Sequence, residues 1–210
     1  MDINSTDGNL KRKNFLARAL GFCGKNSDLI VKMLVHQFGL TVFGYLLYSA
    51  ANVSGNGALV IGFGIFSAVF YLVLLYVLTW ENGLKDKVRI DSGRVKKDSL
   101  KGVKACLVAS LPNLIFAVLA LIGYLCIDKG VLSAEGAYTS PAWAVNLFFI
   151  CQIVGAYLNS MYIGIGDYLG ILQYPFYLFV IIVPTVVVCG VGYWLGTKNK
   201  YGLFSDTRKR

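Results

Sequence analysis

The strongest constraint in this sequence is its four long stretches without a single Asp, Glu, Lys or Arg, at 33–80, 105–127, 136–166 and 168–197. About 20 consecutive apolar residues cross the roughly 30 Å hydrocarbon core of a bilayer as a helix, because a helix pairs its backbone polar groups internally. Hydrophobic residues make up 56% of the chain and charged residues only 15%, against about 45–50% and about 25% in soluble proteins. The sequence therefore predicts an all-α polytopic membrane helix bundle and argues against a soluble domain.

Turn signals divide the predicted single transmembrane domain, residues 29–197, into about five transmembrane helices. The polar run NVSGNG at 52–57 closes a first antiparallel hairpin, and Pro141 and Pro175 stand where later helices begin, since proline is tolerated at the first helical position. The predicted spans are about 29–51, 58–80, 103–126, 142–162 and 175–196.

The longest hydrophilic segment of the chain is the basic loop at 81–102. Its Asp91-Ser92-Gly93 run resembles a turn between two short alternating pieces, KVRI and RVKK. A small β-hairpin is therefore one expectation for this loop.

Basic residues concentrate in the N-terminal segment 1–28, the 81–102 loop and the C-terminal tail 198–210, within a net charge of +9. Lys and Arg are retained on the cytoplasmic side during insertion, which predicts a cytoplasmic N-terminus and a cytoplasmic loop. Five crossings would leave the basic tail outside. The glycine-broken segment 163–174 offers the alternative of a re-entrant element and an even number of crossings. We favour five full spans and keep the re-entrant segment as the alternative.

Polar side chains inside predicted spans are the first candidates for function, because they are costly in a bilayer. Asp167 is the only acid in a long apolar stretch. The span-four amides either line a polar path or join helices by hydrogen bonds. Asn113 follows a helix-breaking proline, and the single histidine either relays protons or bonds to another helix. The intramembrane candidates are Asp167, Gln152, Asn159, Asn146, Asn113 and His36.

A second candidate group lies where span two is predicted to leave the bilayer. Its acids either accept protons or bind a cation, or they simply pair with neighbouring Lys and Arg, which is the interpretation we favour. This candidate cytoplasmic interface consists of Trp80, Glu81, Lys85 and Asp86.

Catalytic and cofactor signatures do not occur in the sequence. It lacks G-x-S-x-G, H-E-x-x-H and G-x-x-x-x-G-K-[ST], and one histidine cannot complete a histidine-based metal or nucleophile site. The five cysteines lie far apart without a C-x-x-C pair. We expect no enzyme activity, no cofactor, no metal site and no nucleic-acid partner.

Two stretches, TWENGLKDKVRIDSGR and PFYLFVIIVPTVVVCGVGYWLGTKNK, resemble parts of uncharacterised small multi-span membrane proteins of Gram-positive bacteria. The resemblance covers the second half of the chain and the central loop, implies the bacterial plasma membrane, and brings no activity with it.

Two functions are predicted from these features. The first is a non-enzymatic accessory or complex-forming membrane subunit. The alternative is a small oligomeric transporter or channel that uses polar residues of spans three to five. The expected partners are the lipid bilayer, anionic lipid headgroups at the cytoplasmic face, and either a second copy or a partner membrane protein, which small-residue spacings such as Gly192-x-x-x-Gly196 permit.

Overall fold

A computed structural model of the chain describes residues 17, 20–96, 98–128, 131–132, 138–139 and 141–198. The predicted basic segments 1–28 and 198–210 lie largely outside this range. The first two long helices form the predicted antiparallel hairpin: α1 covers Ser27–Val53 and α2 covers Gly57–Asp91. Between them Gly55 adopts φ 66°, and the side chain of Asn56 caps α2 by accepting the Ala58 N–H at 3.0 Å.

Helix α2 does not end at Trp80, and this corrects two predictions. Residues 81–91, expected to begin a loop with a β-hairpin, continue the helix as far as Asp91. The turn itself occurs where it was expected, at Ser92 and Gly93, and Gly93 has φ 72°. The burial of two residues explains the extension: Gly83 and Asp86 face inwards, so packing outweighs the loop-like composition of this segment.

The remaining helices are shorter, and two of the predicted spans are bent. Helices α3 (Lys101–Ala109) and α4 (Leu111–Asp128) replace span three, and they meet at an angle of 56°. Pro112 has no N–H to donate to the preceding turn, and its ring disfavours helical conformation in the residue before it. A two-residue antiparallel strand pair follows, with β1 (Val131–Leu132) against β2 (Tyr138–Thr139).

Helix α5 (Ala142–Leu158) begins after Pro141 as predicted and ends before Asn159. A 3₁₀ turn (Ser160–Tyr162) and helix α6 (Ile163–Tyr168) then leave at 82° to α5. Helices α7 (Phe176–Val180) and α8 (Ile182–Thr197) complete the fold. The short break between them precedes Pro184, which cannot donate a helical hydrogen bond.

Helices α2 and α8 pack closely and run parallel. A Cβ atom on Gly83 would lie 2.5 Å from the Tyr193 carbonyl oxygen and 3.0 Å from Cα of Gly196. One turn earlier on each helix, Gly192 packs against Thr79. The last turns of both helices therefore lie at the same end of the bundle. We call this the basic end; it also contains the starts of α1 and α3, and the opposite end, which holds the α1–α2 turn, is the turn end.

Three described helical segments are long and apolar enough to cross a membrane: α1, α2 and the run Phe176–Thr197. The number rises to five if each bent pair, α3 with α4 and α5 with residues 160–168, counts as one span. The prediction of an all-α fold is confirmed, apart from the minor strand pair.

The bundle carries large apolar side chains on its surface and polar side chains inside. Phe38, Phe66, Ile150 and Val187 are each more than half exposed. The buried polar residues are Gln37, Ser67, Thr79, Asp86, Ser110, Asn113, Gln152, Asn159, Ser160 and Thr185.

Candidate functional site at two facing helix breaks

The two bent helix pairs meet at a pair of buried asparagines. Asn113, in the first turn of α4, donates from Nδ2 to Oδ1 of Asn159 at 3.1 Å. Asn159 in turn donates from its own Nδ2 to the Gly155 carbonyl at 2.8 Å. The structure thus brings together two of the six predicted intramembrane candidates, and it does so at the points where the backbone ladders of their helices are interrupted.

The break after α5 frees backbone carbonyls, and hydroxyl groups from α1 and α2 bind them. Thr41 Oγ1 donates to the Leu158 carbonyl at 2.9 Å, and Ser67 Oγ donates to the Met161 carbonyl at 2.6 Å. Ser160 Oγ reciprocates by donating to the Thr41 carbonyl. In a low-dielectric interior these bonds replace the ones that a continuous helix would have made.

Glycines allow α1 and α2 to approach this break. A Cβ atom on Gly44 would lie 2.6 Å from the Met161 backbone nitrogen, and one on Gly64 would lie 2.8 Å from the Ile165 nitrogen. A Cβ on Gly164 would likewise lie 2.7 Å from the Val60 carbonyl oxygen. Only glycine, whose side chain is a hydrogen atom, fits at these positions.

Gln152 fixes the turn that follows α6. Its Nε2 donates to the Leu172 carbonyl at 2.5 Å and lies 3.3 Å from the Tyr174 carbonyl oxygen. Three buried side-chain polar atoms among the described residues have no hydrogen-bond partner: Asn113 Oδ1, Gln152 Oε1 and the Tyr177 hydroxyl. Two of the three belong to predicted site residues.

The other intramembrane candidates lie apart from this centre. Asp167 is exposed at the end of α6, where it accepts a hydrogen bond from the Tyr48 hydroxyl at 3.1 Å. Asn146 is exposed on α5. His36 is partly exposed, and its Nδ1 lies 2.7 Å from the Lys32 carbonyl oxygen of its own helix.

At the basic end, only one of the four predicted interface residues is the centre of a buried network. Asp86 Oδ2 accepts from Lys101 Nζ at 2.6 Å and from the Tyr193 hydroxyl at 2.9 Å. Arg89 lies 3.6 Å from the other carboxylate oxygen. Asp86 is only 4% exposed, so this network ties together α2, α3 and α8. Glu81 and Lys85 are exposed, and Trp80 is half-buried.

Sequence reasoning missed Thr41, Ser67 and Ser160 at the break, and Lys101 and Tyr193 at Asp86. A single hydroxyl side chain hardly changes the mean hydropathy of an apolar helix, so the hydropathy pattern does not distinguish these residues from their neighbours. The carboxylate partner of the Tyr193 hydroxyl lies 107 positions away along the chain.

The described residues contain no group of three or more His, Cys, Asp or Glu side chains that could hold a metal ion. The five cysteines are free thiols, three of them buried. Comparison with known proteins finds no matching family model, curated protein or solved structure.

Proposed function

We propose that this chain is a multi-pass membrane protein that crosses the bilayer four times and carries one re-entrant hairpin. The observation that supports it is the inverted packing: valine, isoleucine and phenylalanine side chains cover the outside of the helices while amides and hydroxyls lie within. Water would penalise such a surface, since soluble monomers rarely expose large contiguous apolar patches. Hydrocarbon favours it, because there the polar groups are the ones that must be paired.

Helix directions support the number of crossings. Helix α1 runs from the basic end to the turn end, and α2 returns to the basic end. The α3–α4 pair then runs from the basic end to the turn end. Helix α5 descends to Asn159, and the following residues return toward the turn end, since Met161 contacts Ser67 and the Tyr168 ring lies 3.8 Å from a Cβ built on Gly57. The run α7–α8 then crosses to the basic end. This arrangement favours the re-entrant alternative over five full spans.

The charge distribution supports four crossings and an orientation with the basic end in the cytoplasm. In the described part of the chain, every Lys and Arg belongs to a segment at the basic end: Lys25, Lys32, Lys85, Lys87, Arg89, Arg94, Lys96, Lys101, Lys104 and Lys198. By the positive-inside rule this end faces the cytoplasm. An even number of crossings keeps the basic C-terminal tail there as well, which removes the conflict that five crossings create. By the resemblance of its sequence, we assign the chain to a bacterial plasma membrane.

The role that we propose within the membrane is that of a non-enzymatic subunit that works by binding partner proteins and lipids. Most polar side chains of the interior, including Thr41, Ser67, Asn159 and Asp86, are engaged in bonds between helices. Groups used in this way hold a bundle together and leave little chemistry for a substrate.

One observation favours the alternative of a small transporter. Asn113 Oδ1 is a buried acceptor without a partner at the meeting point of two broken helices, and broken helices form ion and substrate sites in several transporter folds. A transported cation would be coordinated there by the free amide oxygen.

Two experiments test this proposal. Washing membranes with alkaline carbonate should leave the protein in the pellet, and release by detergent alone would fit an integral protein; recovery in the aqueous wash would reject membrane insertion.

Purified protein should then be placed in liposomes and assayed for Na⁺, K⁺ and proton flux. A subunit gives no flux above empty liposomes, and crosslinking in cells recovers it in a stable heteromeric adduct. Flux that Asn113→Leu abolishes and Asn146→Leu leaves intact would reject the subunit role in favour of transport.

A further inference from the structure

An apolar groove runs along the outer surface between α3 and α8. Its volume is about 380 Å³, and it is lined mainly by Leu100, Val103, Val187, Gly190, Val191 and Trp194. Val187 and Val191, one turn apart on α8, are 55% and 44% exposed. Because these two valine side chains remain partly exposed, no other part of the bundle fills the groove beside them.

Gly190 forms the floor of the groove. A Cβ atom at this position would lie 2.8 Å from Cγ2 of Val103, so the absence of a side chain lets α3 and α8 approach while their flanking side chains diverge. The result is a furrow parallel to α8, with walls of valine and leucine, that continues toward the last turn of that helix.

The mouth of the groove lies at the basic end. Lys198 Nζ sits 3.7 Å from the centroid of the Trp194 ring. Lys101 and Lys104, which belong to the neighbouring helix α3, pair with Asp86 and Asp98. Within the described part of the chain, Lys198 pairs with no carboxylate, so its charge remains available at the rim. Tryptophan and lysine side chains of this kind sit at headgroup level in a bilayer.

We propose that this groove binds an anionic phospholipid from the leaflet at the basic end, with an acyl chain between α3 and α8 and the headgroup phosphate beside Lys198. The inference rests on the proposed membrane placement. Apolar walls match an acyl chain of any phospholipid, whereas the Lys198 cation at the rim selects for net negative charge. The preference between an anionic and a zwitterionic lipid with identical chains therefore isolates the contribution of the rim.

The test is native mass spectrometry of the purified full chain, with phosphatidylglycerol and phosphatidylcholine of identical chains added in equal amounts. We expect the wild-type protein to retain phosphatidylglycerol about fivefold more than phosphatidylcholine, because a single basic residue near the headgroups contributes a preference of this size. Lys198→Gln should abolish this preference, while the matched control Lys32→Gln, at the same end on α1, should keep it.

A second variant tests the groove separately from the charge. Val191→Trp fills the furrow and should reduce retention of both lipids, whereas Val118→Trp on the outer face of α4, where the valine is 42% exposed, should not. Equal retention of the two lipids by the wild-type protein would overturn the proposal, as would a Lys198→Gln protein with unchanged preference. A dimer that Val191→Trp disperses would instead assign the groove to a second copy. Failure of membrane insertion appears independently, as release of the protein in the carbonate wash.

Discussion

Asn113 donates a hydrogen bond to Asn159 across 3.1 Å, and the bond joins the two places where the helices of this bundle break. Each asparagine lies close to the end of a backbone ladder, after Pro112 in one case and at the end of α5 in the other. The pair therefore connects the bent α3–α4 segment to the start of the proposed re-entrant hairpin.

The two asparagines should differ in their contribution to stability. Asn159 makes two hydrogen bonds and Asn113 makes one, while Asn113 also keeps an unpaired oxygen. We expect Asn159→Ala to lower the free energy of unfolding by about 2 kcal/mol and Asn113→Ala by less than about 1 kcal/mol, given about 0.6–2 kcal/mol per interhelical bond in membranes. Unfolding in mixed micelles measures both. Asn146→Ala, on the exposed face of α5, is the control; equal losses at 113 and 159 would contradict the assigned network.

Two glycines of α2 should differ in how their substitution by alanine changes stability. A Cβ atom on Gly64 would lie 2.8 Å from the Ile165 nitrogen, whereas a Cβ on Gly62 would meet nothing within 4 Å. Gly64→Ala should therefore destabilise by about 1–3 kcal/mol through overpacking. Gly62→Ala should be neutral or stabilise by up to about 1 kcal/mol, because alanine is the better helix former. Thermal unfolding in one detergent compares them, and a Gly64→Ala protein as stable as Gly62→Ala would show that α6 does not pack against α2 in this way.

The buried carboxylate of Asp86 should stabilise the basic end through its partners. Asp86→Asn leaves Lys101 without its ion pair, and breaking a buried pair costs about 3–5 kcal/mol. Because Lys101 is 20% exposed and water can solvate it in part, we expect about 2 kcal/mol. Tyr193→Phe should cost less, about 1.5 kcal/mol, as one hydrogen bond to a charged group.

Glu81→Gln, one and a half turns before Asp86 on the same helix but exposed, is the matched control for this network and should change little. Chemical denaturation of the three variants provides the ranking. If Asp86→Asn and Glu81→Gln behave alike, the carboxylate is solvated and the three helices are not joined through it.

Hydroxyl groups of α1 and α2 should keep the hairpin closed. Thr41→Val and Ser67→Ala remove the hydroxyl donors to the carbonyls of Leu158 and Met161 at the break after α5. Amide hydrogens of residues 160–168 should then exchange at least tenfold faster, consistent with local opening made easier by about 1.4 kcal/mol. Thr79→Val serves as the control, since its hydroxyl bonds only to carbonyls of its own helix. Unchanged exchange in both variants would show that other contacts hold the hairpin.

The apolar helices could be predicted from the sequence because each contact that forms them is local. The turn at Ser92 and Gly93, the start of α5 after Pro141 and the start of α7 after Pro175 follow from backbone restrictions on single residues. The helical continuation through 81–91 could not be predicted, because the Asn82-Gly83 pair and the charges favour a loop unless α8 is already in place. Gly83 and Asp86 make the contacts that favour a helix only with Tyr193 and Gly196 of α8.

The candidate site could be predicted only in part, because some of its features are local and others depend on distant helices. The amides at 113, 152 and 159 stand out within apolar spans, and all three are buried. Asn146 lies on the same helix as Gln152, yet it is exposed. The helical pattern alone does not say which side of α5 meets its neighbours. The 82° break after α5 depends on hydroxyls from two other helices, which no local signal reveals.

Helix α8 ends beside the end of α2, and we propose that both ends face the cytoplasm. Single reporter cysteines at Ser54, Ser92, Leu169 and Ser205, in a chain whose five native cysteines are replaced, test it by labelling intact cells with a membrane-impermeant maleimide. We expect labelling at positions 54 and 169 from outside, and labelling at 92 and 205 only after the cells are opened. Labelling of position 205 in intact cells, with position 92 protected, would contradict it.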